Sequence, residues 1–211
     1  YRRVGADRSK AEAKFGEVAF VSFTRGTHIT LASGAQVPIE DLKVGDRVLT
    51  RDAGAQEIRW IGETTLRAVG DFAPVLIKKD TLFNTNDLIL SPEHRLFIYQ
   101  REDRLGAGRS EVLIKARHLI NGETVIRQDG GFIDYFQLLF DDHQIIYAEG
   151  IAAETLLVDS RTRAALPSDL TETLGASLPG HEARPHFDFE VQEELAKQPD
   201  VAKLLKRASS S

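Results

Sequence analysis

The sequence predicts an all-β domain followed by an irregular or partly helical C-terminal tail. Three observations carry this. Apolar residues come in short runs separated by Gly, Asp and Ser; those runs are rich in Val, Ile, Phe and Tyr; and nothing between Val18 and Val158 sustains helical apolar spacing. The 211 residues, 42% of them hydrophobic and 28% charged, suffice for one good-sized core or one domain with appendages.

Residues 1–16 are charged and Ala-rich, show no strand pattern and read as an upstream segment. From 17 to 158 the pattern predicts strands at 18–24, 28–32, 46–51, 57–61, 74–78, 88–90, 95–100, 111–114, 124–127, 132–140 and 144–148. Between them lie turn signals such as Ser33-Gly34, Asp52-Ala53-Gly54 and Gly106-Ala107-Gly108. Asp129-Gly130-Gly131, between Ile126 and Phe132, predicts a hairpin because Gly supplies positive φ. Trp60 is expected in the core and Arg51-Asp52 in a solvated turn. The pattern Leu-x-x-Gly-acid-x-Val-apolar occurs at Leu42–Leu49 and again at Leu119–Ile126. Each copy predicts a helical turn ended by Gly and then a strand.

Residues 159–211 read as a tail or linker punctuated by Pro167, Pro179, Pro185 and Pro199. Within it, 190–207 predicts a helix through Val191, Leu195, Leu204 and Leu205, interrupted at Pro199, and Ser209-Ser210-Ser211 predicts a frayed end.

A net charge of -5 gives no electrostatic pull toward nucleic acid or anionic lipid, and no apolar run approaches the length of a membrane span. With no Cys, disulfides and thiolate metal sites are excluded. Tyr1 at the start and the absence of Met point to a piece of a longer chain or a processed product. His28, His118, His181 and His186 show no ligand spacing, so no metal and no cofactor is expected.

Three motifs carry the candidate chemistry. Ser22-Phe23-Thr24-Arg25-Gly26-Thr27 places a hydroxyl at the end of an apolar run. Ser91-Pro92-Glu93-His94 pairs a second hydroxyl with an imidazole. Ser before Pro is also a common helix start, but Arg95-Leu96-Phe97-Ile98-Tyr99 lacks helical spacing. The third motif, Tyr135 to Ile151, holds Gln137 and His143 in two strand-like runs.

Together these motifs resemble the Hint domains of inteins and Hedgehog proteins, specifically the bacterial Hint type. The resemblance implies a horseshoe of two pseudo-two-fold related β subdomains over 17–158, and a secreted bacterial protein. It also implies self-processing, in which Ser22, in place of the usual Cys, attacks the carbonyl of Val21 through a five-membered ring. Ser91 would hold the amide or its oxyanion and His94 would protonate the departing amine. Gln137 stands where many inteins carry Asp, and cannot act as a base; His143 matches a recurring family His. Where a splicing intein ends in His-Asn, this chain has Ala153-Glu154 followed by Thr155, so splicing is not expected. The substrate would be the chain's own upstream polypeptide, with water or an outside nucleophile as acceptor and a monomer as the working unit. Two other readings stay open at this point: an inactive Hint-fold relic serving as a structural or interaction module, and an unrelated β-rich ligand-binding domain.

Overall fold

The computed structural model describes residues 21–163, 166, 171, 179–182 and 186–210. The expected upstream segment, the first residues of the strand expected at 18–24, Pro167, Pro185 and Ser211 lie outside these residues.

Among the described residues there are fourteen strands: β1 (Phe23–Thr24), β2 (His28–Thr30), β3 (Gln36–Pro38), β4 (Arg47–Leu49), β5 (Ala55–Glu57), β6 (Trp60–Arg67), β7 (Val75–Ile77), β8 (Leu88–Leu90), β9 (Arg95–Tyr99), β10 (Glu111–Lys115), β11 (Val125–Arg127), β12 (Phe132–Leu139), β13 (Ile145–Ala148) and β14 (Ile151–Glu154). They form two six-stranded sheets, ordered β11-β7-β8-β1-β12-β6 and β10-β9-β14-β13-β2-β3, with β4 and β5 as a separate pair. The protein is all-β, and strands from both halves of the chain enter each sheet. The sequence echo is structural. A 3-10 turn at Ile39–Asp41 precedes Gly45 (φ 93°) and β4, and one at Ala116–Leu119 precedes Gly122 (φ 77°) and β11. Positive φ at both glycines redirects the chain from turn to strand.

Three local expectations are corrected. The strand expected at 57–61 splits at Ile58-Arg59, and its second part runs from Trp60 to Arg67, straight through Gly62. This glycine is no turn. A Cβ there would lie 2.2 Å from Trp60 Cη2, so its bare backbone makes room for the indole on the same strand face. Gly130 and Gly131 do take positive φ, but they do not close a hairpin. β11 pairs with β7 whereas β12 pairs with β1 and β6, and the turn bonds to Ala68 instead. Trp60 itself is half-buried at the periphery, against Leu139, Leu156, Val158 and Leu166.

The main core joins both sheets through Phe23, Ile29, Leu90, Leu96, Val112, Phe136 and Ile146. Part of the tail belongs to it. Helices α1 (Ser160–Arg163) and α2 (Pro179–Glu182) are single turns, followed by 3-10 turns at Phe187–Phe189 and Leu195–Lys197 and by α3 (Val201–Ser210). The helix expected over 190–207 is thus divided at Gln198–Asp200, where Pro199 cannot continue the hydrogen-bond ladder. Val191, Ala196, Val201, Ala202 and Leu205 pack into the main core. Ser209 and Ser210 complete α3 instead of fraying, and the Ser209 hydroxyl donates to the Tyr99 carbonyl at 2.6 Å. None of the described helices is long and apolar enough to cross a membrane.

Candidate functional site

Strand register assembles the site. β1 lies between β8 and β12, with Phe23 opposite both Leu90 and Phe136. One residue before Phe23, antiparallel pairing must set Ser22 against Ser91 on one side and Gln137 on the other. All three are buried. The Ser22 amide N–H donates to Ser91 Oγ at 3.0 Å, and the Ser91 amide N–H donates back to the Ser22 carbonyl at 3.0 Å. Gln137 Nε2 donates to Ser22 Oγ at 3.3 Å.

Ser91–His94 is a tight turn, closed by the His94 amide bonding the Ser91 carbonyl at 3.1 Å, and it leads into β9 without forming a helix. His94 is fully buried, edge-on to the Phe23 ring at 4.5 Å between centroids. Its two nitrogens face two carbonyls: Nδ1 lies 3.1 Å from Ser22 O and Nε2 lies 3.0 Å from Glu154 O. Burial lowers its pKa below the ordinary 6.5, although the Glu154 charge and both carbonyls pull the other way. His94 therefore reaches the carbonyl side of Ser22, while Ser91 contacts the amide nitrogen.

Glu154 is fully buried at the end of β14, and sequence reasoning did not foresee its role. Its Oε1 accepts from the Arg95 amide at 3.1 Å and from Arg95 Nε at 2.8 Å, and its Oε2 accepts from Arg95 Nη2 at 2.7 Å. His143 Nε2 stands 3.5 Å from Oε2, close enough for a charge interaction but without a hydrogen bond. Burial alone would raise the Glu154 carboxyl, yet the His143 imidazole and the Arg95 guanidinium hold it down to about 2. The available signal was adjacency: Arg95 opens β9 directly after His94, so a buried arginine there calls for a buried carboxylate nearby.

His143 belongs to the Glu154 side, with Nε2 toward Glu154 and Nδ1 toward His186. The tail histidines are not isolated. His186 Nδ1 is 3.2 Å from His143 Nδ1, and the His181 and His143 rings are 6.4 Å apart. His181 is fully used, because Val158 N–H donates to its Nδ1 at 3.0 Å and its Nε2 lies 3.0 Å from the Phe140 carbonyl. His28 pairs with Glu149 at 2.9 Å, and His118 sits in the 3-10 turn Ala116–Leu119. Among the described residues no group of three ligating side chains has a metal-binding arrangement. The turn at Arg51-Asp52 is exposed at Asp52, as expected, and is also a docking point. Asp52 Oδ2 bonds His186 Nε2 at 3.1 Å, while Arg51 pairs with Glu111 and lies 4.0 Å above the Phe97 ring.

The family model of the Hint domain matches residues 21–160. The chain belongs to the Hint domain family. Ser22, Ser91, His94, Gln137, His143 and Glu154 all fall within the Hint stretch, whereas His181 and His186 lie beyond it. Among solved structures, the Hint domain is similar to a DnaB intein from Synechocystis sp. PCC 6803, at 14% identity and TM-score 0.44 over 64% of this chain and 97% of that one. It is likewise similar to the bacterial intein-like domain from Clostridium thermocellum, at 14% identity and TM-score 0.45 over 64% of this chain and 98% of that one. The TvoVMA intein gives 14% identity and TM-score 0.46 over 63% and 96%. None of the curated proteins compared with the chain matches it.

Proposed function

We propose that this Hint domain is a self-processing module that activates the Val21–Ser22 peptide bond by an N-to-O acyl shift, detaching the upstream chain without splicing. The carrying observation is the Ser91 Oγ contact, at 3.0 Å, on the amide nitrogen that would have to leave. In the step, Ser22 Oγ bonds to the Val21 carbonyl carbon, the C–N bond breaks, and the hydroxyl proton ends on the freed Ser22 amine. Five-membered ring closure makes this attack intramolecular and entropically favoured. Ser91 steadies the departing nitrogen, and Gln137 offers Ser22 Oγ a donor that steadies developing negative charge without removing the proton. His94, the imidazole at the junction, supplies proton transfer. Water or an outside nucleophile then takes the acyl group from the ester.

The downstream side supports cleavage without splicing. Thr155, Leu156, Leu157 and Val158 are all buried, and the Leu156 amide bonds the Leu138 carbonyl at 3.0 Å. Residues past Glu154 thus continue the fold.

The test is Ser22→Cys. A thiol is the better nucleophile and its thioester the better acyl donor. Incubated with hydroxylamine or dithiothreitol, the protein should release a fragment ending at Val21, read by intact mass. Complete resistance of a folded Ser22→Cys protein would overturn the proposal.

A further inference from the structure

Two consecutive residues, His94 and Arg95, hold Glu154 by its main chain and by its side chain. His94 Nε2 lies 3.0 Å from the Glu154 carbonyl, while the Arg95 amide and guanidinium bond both carboxylate oxygens at distances between 2.7 and 3.1 Å. Register explains the convergence. β14 pairs with β9 through Ala152 opposite Phe97 and Ala153 opposite Leu96, so one step further sets Glu154 beside Arg95. We propose that Glu154 is a positioning residue for the Val21–Ser22 reaction, acting on His94 through its carbonyl and its charge, with Arg95 fixing it in place. This rests on the function proposed above.

The carbonyl sets where the ring stands. His94 is fully buried, with the Phe23 ring edge-on to it, and its nitrogens meet the carbonyls of Glu154 and Ser22. A shift of Glu154 would therefore move the nitrogen that faces Ser22. Three bonds from Arg95 to the carboxylate resist that shift.

The charge sets how readily the ring takes up a proton. Burial opposes the imidazolium, and the Glu154 carboxylate is the strongest influence in its favour, ahead of the two carbonyls and of the opposing Arg95 charge. Glu154 can serve in this way because it stays ionised. Burial would raise its carboxyl, but His143 and Arg95 hold it down to about 2.

The other charged groups nearby do not duplicate this role. His143 Nε2 reaches Glu154 Oε2 only as a charge at 3.5 Å. Glu190 bonds Arg95 Nη1 at 3.2 Å, the guanidinium nitrogen that Glu154 leaves free, and the Phe187 ring lies 5.0 Å from the same guanidinium. Lys115 stands 4.0 Å from Glu190 and pairs with Glu93 at 3.0 Å. Without the Glu154 charge, Arg95 would stay anchored by Glu190 and its positive charge would remain beside His94.

The test compares three full-chain proteins: the parent, Glu154→Gln, and the double variant Arg95→Met with Glu154→Gln. Imidazole nitrogen NMR on the uncut Ser22 forms reads the pH at which His94 takes up its proton. That pH should be highest in the parent and lowest in Glu154→Gln, where Arg95 still repels the imidazolium. The double variant, which carries neither charge, should fall between. In the Ser22→Cys background, hydroxylamine cleavage at neutral pH should follow the same order. The loss in Glu154→Gln should be about tenfold, below the 10²- to 10⁴-fold of a missing general acid, because the ring remains. Once His94→Gln is present, Glu154→Gln should cost nothing further, since its effect passes through that ring. Unchanged or differently ordered His94 midpoints in folded proteins, or a Glu154→Gln loss that persists alongside His94→Gln, would overturn the inference. The double variant orphans no buried charge and decides alone, against the parent, if Glu154→Gln does not fold. If the Ser22→Cys parent does not cleave, the proposed function fails by itself, and the His94 midpoints still judge Glu154.

Discussion

The main-chain carbonyls of Ser22 and Glu154 share a single imidazole, His94, whose Nδ1 lies 3.1 Å from the first and whose Nε2 lies 3.0 Å from the second. The ring is buried, so neither carbonyl can exchange it for water without opening the fold. Only the imidazolium can bond both at once. Uptake of a proton by His94 therefore tightens its grip on two segments distant in sequence, and loss of that proton releases one of them.

If His94 moves protons at this junction, replacing it should slow the chemistry far more than it harms the fold. His94→Gln in the Ser22→Cys background should lower the hydroxylamine-dependent cleavage rate by about 10²- to 10⁴-fold, the range typical of a general acid or base. Intact-mass time courses measure the rate, and circular dichroism checks the fold. A loss of less than about threefold in a folded variant, well short of that range, would remove His94 from the mechanism.

Stability should fall in acid, and Glu154 should account for part of the fall. Its carboxyl sits at about 2 in the fold against an ordinary 4.5. Above pH 4.5 both folded and unfolded chains are ionised and the Arg95 pair contributes fully. As pH drops from 4.5 toward 2, the unfolded chain binds the proton that the folded one refuses, and the contribution disappears. His94 acts in the same sense from 6.5 downward, because burial keeps it neutral while the unfolded chain protonates. Urea midpoints should decline below pH 6.5 and more steeply below 4.5. Glu154→Gln should flatten only the lower part, since Asp103, Asp134 and Glu149 are also lowered. Arg95→Met should cost about 3–5 kcal/mol at neutral pH, as expected when one partner of a buried pair is removed. A midpoint independent of pH between 2 and 6.5 would contradict this account.

The two sides of His94 differ in how far the sequence reveals them. Around Ser22, apolar runs mark β1, β8 and β12, and once Phe23 faces Leu90 and Phe136 the polar neighbours meet automatically. On the Glu154 side, β14 reads Ile151-Ala152-Ala153-Glu154, too short and too rich in Ala to announce a strand. Its charge is compensated by an arginine on another strand, and the His186–Asp52 contact joins the tail to a turn. Long-range ion pairs have no local period, so pattern reading passes over them. The extension of β6 beyond residue 61 was hidden for another reason: Gly62 carries no strand signal of its own, and its bare backbone makes room for an indole.

In the proposed reaction Gln137 leaves Ser22 without a base. Its amide donates to Ser22 Oγ at 3.3 Å and has no basic atom to take the hydroxyl proton. Gln137→Asp puts an acceptor at the same place. In the Ser22→Cys background it should raise the cleavage rate by about tenfold, below the full 10²- to 10⁴-fold of an optimally placed base because the site is not shaped around a charge. A rate unchanged or lowered in a folded variant would show that proton removal from residue 22 does not limit the reaction.

The last prediction concerns the bond after Glu154. Release there would require the Glu154 carboxylate to attack its own carbonyl, closing a six-membered anhydride and expelling the Thr155 amine. Arg95 holds both carboxylate oxygens, at 2.8 and 2.7 Å, so the attack would first have to break a buried ion pair. The leaving side is equally restrained. The Thr155 amide bonds the Gln144 carbonyl at 3.0 Å, and the Thr155 hydroxyl both donates to that carbonyl at 3.1 Å and accepts from the Gln144 amide at 3.0 Å. Under conditions that cleave Ser22→Cys after Val21, the tail should therefore stay attached, giving one large species that runs from residue 22 through the last residue. A fragment beginning at Thr155, or residues 1–21 joined to it, would show that this side of the domain is chemically competent and that the Arg95 grip does not prevent its reaction.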